Sequence, residues 1–124
     1  GGSMIYLASP YSHPDAAVRE ARFRDACRAA AKLMRLGQVV FSPIAHGHCI
    51  CEHGLPTDWR FWEPFDRRQL ERCDEVVVLM IDGWRESVGV QAEIRIAAEA
   101  GKPVRYLDPD WSPTLAHVAK EAEG

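Results

Sequence analysis

The six residues from Val76 to Ile81 carry no polar side chain. A strand of that kind has no face to offer water, so it belongs inside a sheet that is covered on both sides. Sheets covered in this way are parallel, and parallel strands need long crossovers, usually helices. The rest of the chain supplies both parts. Met4 to Ala8 and Val39 to Phe41 read as two earlier strands, and Pro103 to Leu107 as a fourth. Between the first two, Val18, Phe23, Ala26, Cys27, Ala30, Leu33 and Met34 recur at helical spacing up to Gly37. Ser87 is an N-cap for a helix running from Val88 to Ala100, which Gly101 ends.

Thr57 opens another helical stretch that continues to Cys73, with Pro64 as a kink or a fresh start. Residues 44–56 read as an irregular loop rich in histidine and cysteine, and Leu115 to Ala122 as a last amphipathic helix. Strands alternating with helices predict an α/β fold: a three-layer sandwich around a doubly wound parallel sheet, flavodoxin- or Rossmann-like, with strand order beginning 2-1-3-4. Ligands in such sheets bind beyond the carboxyl ends of the strands, where the order reverses. That point lies between the Ser9–His13 loop and the loop leading to Ser87.

A chain of 124 residues is one domain's worth, taken here as 4–124, with Gly1-Gly2-Ser3 read as a cloning remnant ahead of Met4. The net charge of −3 and the lack of a basic tail argue against a nucleic acid polymer as partner. No apolar run approaches the roughly 20 residues of a membrane helix, and no signal peptide precedes Met4, so a cytoplasmic location is expected. Cys27, Cys49, Cys51 and Cys73 do not suggest a disulfide framework and are expected to be reduced.

Two acids stand in the wrong place for ordinary surface helices. At about 100° per residue, Gln91, Arg95, Glu99 and Lys102 share a polar arc, and Glu93 falls nearly opposite, beside Gly89, Val90, Ile96 and Ala97. Asp66 likewise leaves the arc of Arg60, Arg67, Arg68 and Glu71 for the side of Trp59, Trp62, Leu70 and Cys73. An unpaired buried carboxylate costs several kcal/mol or takes up a proton. Two inward acids flanking one strand suit glycosidic chemistry, in which one attacks or stabilises the sugar carbon and the other handles the leaving group's proton. The aromatic surroundings favour a protonated Asp66, the nearby helix N-terminus an ionised Glu93. Trp59 and Trp62 offer a stacking surface for a base. Ser87 and the N–H groups of Gly89 and Val90 form an anion site at a helix N-terminus, although capping alone would also explain the serine.

Ile5-Tyr6-Leu7-Ala8-Ser9-Pro10 resembles the opening strand and loop of the nucleoside 2-deoxyribosyltransferase superfamily. Asp66, eight positions ahead of Asp74-Glu75-Val76-Val77-Val78, is similar to that family's acid before its third strand, and Ser87-Val88-Gly89-Val90-Gln91-Ala92-Glu93 to its nucleophile segment. A serine six residues before the glutamate resembles the branch that hydrolyses nucleoside 5′-monophosphates, such as the 5-hydroxymethyl-dUMP N-hydrolase. Transferases of free nucleosides tend to carry an aspartate there, which would repel a phosphate. The first loop, Ser9-Pro10-Tyr11-Ser12, departs from the glycine- and arginine-rich phosphate loop of that branch.

The resemblance implies an N-glycosidase that forms a covalent glycosyl-glutamate on Glu93 with Asp66 assisting, or a nucleoside deoxyribosyltransferase. It implies a small nucleotide or nucleoside substrate bordered by Tyr6, Ser9, Ser87 and Gly89, and no cofactor. It also implies a homodimer or higher homo-oligomer, consistent with the apolar surface of Trp84, Trp111 and the Trp59–Phe65 stretch. Two rival classes stay open: a non-catalytic nucleotide-sensing domain, and a metal-dependent hydrolase centred on His46-Gly47-His48-Cys49-Ile50-Cys51-Glu52-His53. Structural zinc sites usually draw wider-spaced ligand pairs from two segments, so no metal is expected, and His46 and His48 are read as lining the crevice.

Overall fold

The computed structural model describes residues 3–111. In chain order these form β1 (Met4–Ala8), α1 (Ala16–Arg35), β2 (Val39–Phe41), α2 (Pro43–Cys51), α3 (Trp59–Arg72), β3 (Glu75–Leu79), α4 (Val88–Glu99) and β4 (Val104–Leu107). All pairings are parallel and the sheet order is β2-β1-β3-β4, the doubly wound arrangement expected from the alternation of elements. The helix expected over Leu115 to Ala122 lies outside the described residues.

The pleat of β1 and β3 divides the core. Ile5, Leu7, Val77 and Leu79 point to one face, where Ala29, Ala30 and Leu33 of α1 meet them together with Leu107 and Trp111. Tyr6, Ala8, Val76 and Val78 point to the other, against Leu70 of α3 and Val90, Ile96 and Ala97 of α4. Each fully buried Val or Leu contributes about 1.5–3 kcal/mol relative to exposure, which is why the apolar run settles in the sheet interior. Trp111 is buried in this core, so it adds nothing to the exposed surface expected of it, whereas Phe65 and Val88 are exposed.

Both long helices on glycine stops end in the same motif. Gly37 N–H donates to Met34 O and Gln38 N–H to Leu33 O, while Gly101 N–H donates to Ala98 O and Lys102 N–H to Ala97 O. Each glycine has positive φ, +84° and +71°, which closes the helix with a Schellman turn at no Cβ cost. Lys102 then leaves the wet face assigned to it. Its Nζ donates to the carbonyls of Leu70 (2.9 Å), Glu71 (2.7 Å) and Cys73 (2.6 Å), satisfying the end of α3 with a positive charge where the helix dipole favours one.

Residues 44–56 correct the expected loop, because Pro43–Cys51 is helical. Ser42 and Pro43, which look like a strand stop, form an N-cap and N1 pair: Ser42 Oγ accepts from Ala45 N–H, and proline is pre-set for the first turn. Gly47 hides the helix in sequence, at about 1 kcal/mol relative to alanine. Trp62 lies over it, so that a Cβ at Gly47 would sit 3.4 Å from the ring, in van der Waals contact. Pro64 neither breaks nor restarts α3, which runs through it on an exposed side.

Candidate active site

A cavity of about 660 Å³ opens beyond the carboxyl end of β1, walled by the β1–α1 loop, α2, α3 and the N-terminal part of α4. Asp66 and Glu93 both line it, although they come from different helices. Two tryptophans of α3 are seated on glycines of the facing helices: Trp62 on Gly47 of α2, and Trp59 on Gly89 of α4, with 3.4 Å between each ring and the position of a Cβ. The glycines let the aromatic rings approach the helix backbones closely, and Trp59 and Trp62 thereby become cavity walls.

Glu93 is 4% exposed. The Tyr6 hydroxyl, on the even face of β1, donates to Glu93 Oε2. Burial pushes Glu93 up to about 8, because the desolvation of the carboxylate outweighs the Tyr6 hydrogen bond, and the charge of Asp66 adds to the rise. Asp66 is pushed up to about 7 by burial. Tyr6 rises well above the usual phenol range for the same reason, followed by the charges of Glu93 and Asp66, so it stays a donor. The expected contrast between a neutral Asp66 and an ionised Glu93 is corrected in one half. Glu93 lies in the second turn of α4, beyond the reach of the helix N-terminus, and burial governs it.

At the other flank Ser87 Oγ accepts from Val90 N–H at 3.1 Å, and the earlier N–H groups of the helix have no partner within it. Ser9 is 5% exposed, and its Oγ has no hydrogen-bond partner although it lines the cavity. Arg22 of α1 enters the same flank, its Nη1 donating to Ser12 O at 2.9 Å. Its guanidinium occupies the place a Cβ at Gly83 would need. The mouth thus carries Arg22 and Arg60 against Asp58 and Glu86.

Of the residues named from sequence, Asp66, Glu93, Ser9, Ser87, Gly89 and His48 line the cavity. Tyr6 is fully buried and sits behind Glu93. His46 does not belong to the site: it is exposed, tilts against Phe41 at 5.8 Å and is not a lining residue. Once Pro43–Cys51 coils as a helix, residues two apart turn away from each other, so only one histidine of the pair can face inward. The metal-like grouping becomes Glu20, His48 and Glu52, whose ligand atoms lie within 4.8 Å of one another, with none of the cysteines. All four cysteines are free. Arg22 and Tyr11 were not legible as site residues, because nothing in helical spacing distinguishes an arginine that bends into a crevice from one that stays in water.

Among known proteins, a family model described as "Domain of unknown function (DUF1937)" matches residues 3–108. No curated protein matches the chain. A solved structure of a 2-deoxyribosyltransferase from Bacillus psychrosaccharolyticus, described as a biocatalyst for the synthesis of nucleosides, is 25% identical. It superposes with a TM-score of 0.59, over 96% of this chain and 82% of its own. The four-strand parallel sheet in order 2-1-3-4 with flanking helices is shared with that enzyme, which supports the nucleoside 2-deoxyribosyltransferase-like superfamily. No helix among the described residues is long and apolar enough to cross a membrane.

Proposed function

We propose that this chain, which belongs to the DUF1937 family, is an N-glycosidase that cleaves the bond between base and sugar in a nucleoside 5′-monophosphate. The observation that carries the reading is the pair of acids, Glu93 and Asp66, in one aromatic-walled cavity of a fold shared with a 2-deoxyribosyltransferase. Glu93 attacks C1′ of the sugar, Asp66 gives a proton to the departing base, and water releases the sugar from the glutamate with retained configuration. Tyr6 steadies the attacking carboxylate through its hydrogen bond. The phosphate sits at the N-terminus of α4, against Ser87 and the Gly89 N–H, with Arg22 taking the part that an arginine-rich loop would otherwise play. The unpartnered Ser9 hydroxyl, buried in the cavity wall, supports a polar ligand in the cavity. Incubating the protein with nucleosides and their 5′-monophosphates and following free base by chromatography tests the reading: release from the monophosphates supports it, and release from free nucleosides alone points to the transferase alternative.

The acids also set a pH profile. Base release needs one proton shared between the pair and held by Asp66 in the productive arrangement. With the two groups near 7 and 8, kcat/KM rises as the first proton leaves and falls as the second leaves, giving a bell centred midway, at about pH 7.5. A profile flat from about pH 5 to 9 would remove the carboxyl pair from the rate-limiting chemistry.

The reading extends to assembly as a homodimer or larger homo-oligomer. Phe65 at 55% exposure and Val88 at 69%, the latter on the cavity rim, support an apolar contact with a second copy. Light scattering is expected to give at least twice the 13.9 kDa chain mass, and a mass of one chain at all concentrations would defeat this part.

A further inference from the structure

In the sequence, His46 and His48 stand two apart beside Cys49 and Cys51, a spacing that suits no ordinary zinc site. Folding replaces that grouping with another. As α2 coils up to its C-cap, His48 and Glu52 come to lie four residues apart on one helical face, and Glu20 reaches them from α1. Of the three only His48 lines the cavity, so the cluster sits behind the cavity wall, and the inference stands apart from the reaction proposed above.

His48 Nε2 lies 3.0 Å from Glu20 Oε1 and 3.6 Å from Glu52 Oε1. All three ligand atoms lie within 4.8 Å of one another. Ligands held about 2.0–2.2 Å from one ion stand roughly 2.8–3.6 Å apart, along the edges of an octahedron or a tetrahedron. Both histidine spans meet that condition, and the span between the glutamates closes by a turn of the Glu52 side chain, which is 64% exposed. The histidine is held as a ligand needs to be. It is 7% exposed, stacks on Phe23 at 4.2 Å, and has its Nδ1 2.7 Å from the Tyr11 hydroxyl, so the ring is fixed with Nε2 aimed at the two carboxylates. A partner on one ring nitrogen that orients the other toward the ion is the usual support of a metal-binding histidine. Arg24 Nε, at 3.2 Å, takes Glu20 Oε2 and leaves Oε1 to the His48 side. Two carboxylates thus converge on one imidazole, which carries at most one positive charge, whereas a divalent ion offsets both.

We propose that Glu20, His48 and Glu52 form a binding site for a divalent transition-metal ion, zinc above all, which joins α1 to the end of α2 behind the cavity wall. One imidazole and two carboxylates suit zinc, and three protein ligands leave a fourth position to water on the exposed side. None of the cysteines belongs to the cluster. The ion is a brace for His48 and the wall it forms, not a participant in bond cleavage.

Calorimetric titration of the full chain with zinc chloride tests the site, and the absorption spectrum of the cobalt(II) complex identifies its ligands. One ion per chain is expected to bind, to raise the melting temperature and to be withdrawn by a chelator. Glu52→Gln and Glu20→Gln each keep the shape and remove a charged ligand, and each should lower the affinity at least roughly 10-fold and shrink the rise in melting temperature. Glu52 is exposed at a helix end, so Glu52→Gln keeps the test sound even where Glu20→Gln, which also loses its pairing with Arg24, disturbs the fold. The cobalt complex should lack the intense charge-transfer bands of a thiolate ligand, and Cys49→Ser should leave the zinc affinity unchanged. Wild-type protein that binds no zinc would overturn the proposal and make the cluster an ion-paired histidine. An affinity that Glu52→Gln leaves unchanged, or thiolate bands in the cobalt complex, would overturn it too, by placing the ion elsewhere on the chain.

Discussion

Glu93→Gln is expected to lower base release by at least about 10³-fold and, in the same protein, to raise the melting temperature. Glutamine keeps the shape and can still accept the Tyr6 hydrogen bond through its amide oxygen, but it cannot form the glycosyl ester. The stability gain follows from the titration of the wild-type residue. Glu93 holds its proton up to about pH 8 in the folded chain, against 4.5 for an ordinary glutamate. Between those values the folded chain binds more protons than the unfolded one, so wild-type stability falls as the pH rises through the window. Glutamine has no charge to bury, so its advantage is small below about pH 4.5 and reaches the order of a few kcal/mol by about pH 8. Turnover on a panel of monophosphates and thermal melts at acid and alkaline pH read the two effects. Wild-type turnover in Glu93→Gln would end the covalent mechanism at this residue and assign the chemistry to another group. A melting temperature unaffected by the substitution at alkaline pH would mean that Glu93 is better solvated than its burial indicates.

Asp66→Asn is expected to cost roughly 10²- to 10⁴-fold, with the loss depending on the base. A poor leaving group needs a proton as the bond to C1′ breaks, and asparagine has none to give. A base made acidic by fluorination leaves as the anion and should lose far less. Burial that pushes Asp66 up to about 7 keeps much of it protonated at neutral pH, which suits a proton donor. The measurement is kcat/KM for a series of nucleotides ordered by the acidity of their bases. A slope steeper in Asp66→Asn than in wild type supports proton donation, and parallel slopes would reassign Asp66 to holding the substrate.

Strand identity was legible because an apolar run with no polar break has nowhere to go but a covered sheet, and β1 and β2 occupy the residues read for them. The glycine stops at Gly37 and Gly101 were legible for a local reason, since a positive φ depends on the residue itself. The inward turn of Glu93 and Asp66 could be read from helical spacing, because each helix shows its polar arc without reference to its neighbours. Residues 44–56 could not be read in this way. Gly47 lowers local helix propensity, and the Trp62 ring that packs over it arrives from another helix, so the sequence of α2 understates its structure.

The protonation of Glu93 was likewise a tertiary matter. The sequence places it on a helix behind a good N-cap, but only the assembled sheet shows that it is sealed against Tyr6 with almost no water, and desolvation then outweighs both the dipole and the hydrogen bond. Arg22, Tyr11 and the choice of His48 over His46 were decided in the same way. Periodicity tells which side of a helix faces the core, whereas a cavity is made where several elements fail to meet. Element order and inward acids therefore came from the sequence alone, and the contents of the crevice from the packing of α1, α2, α3 and α4 around the end of β1.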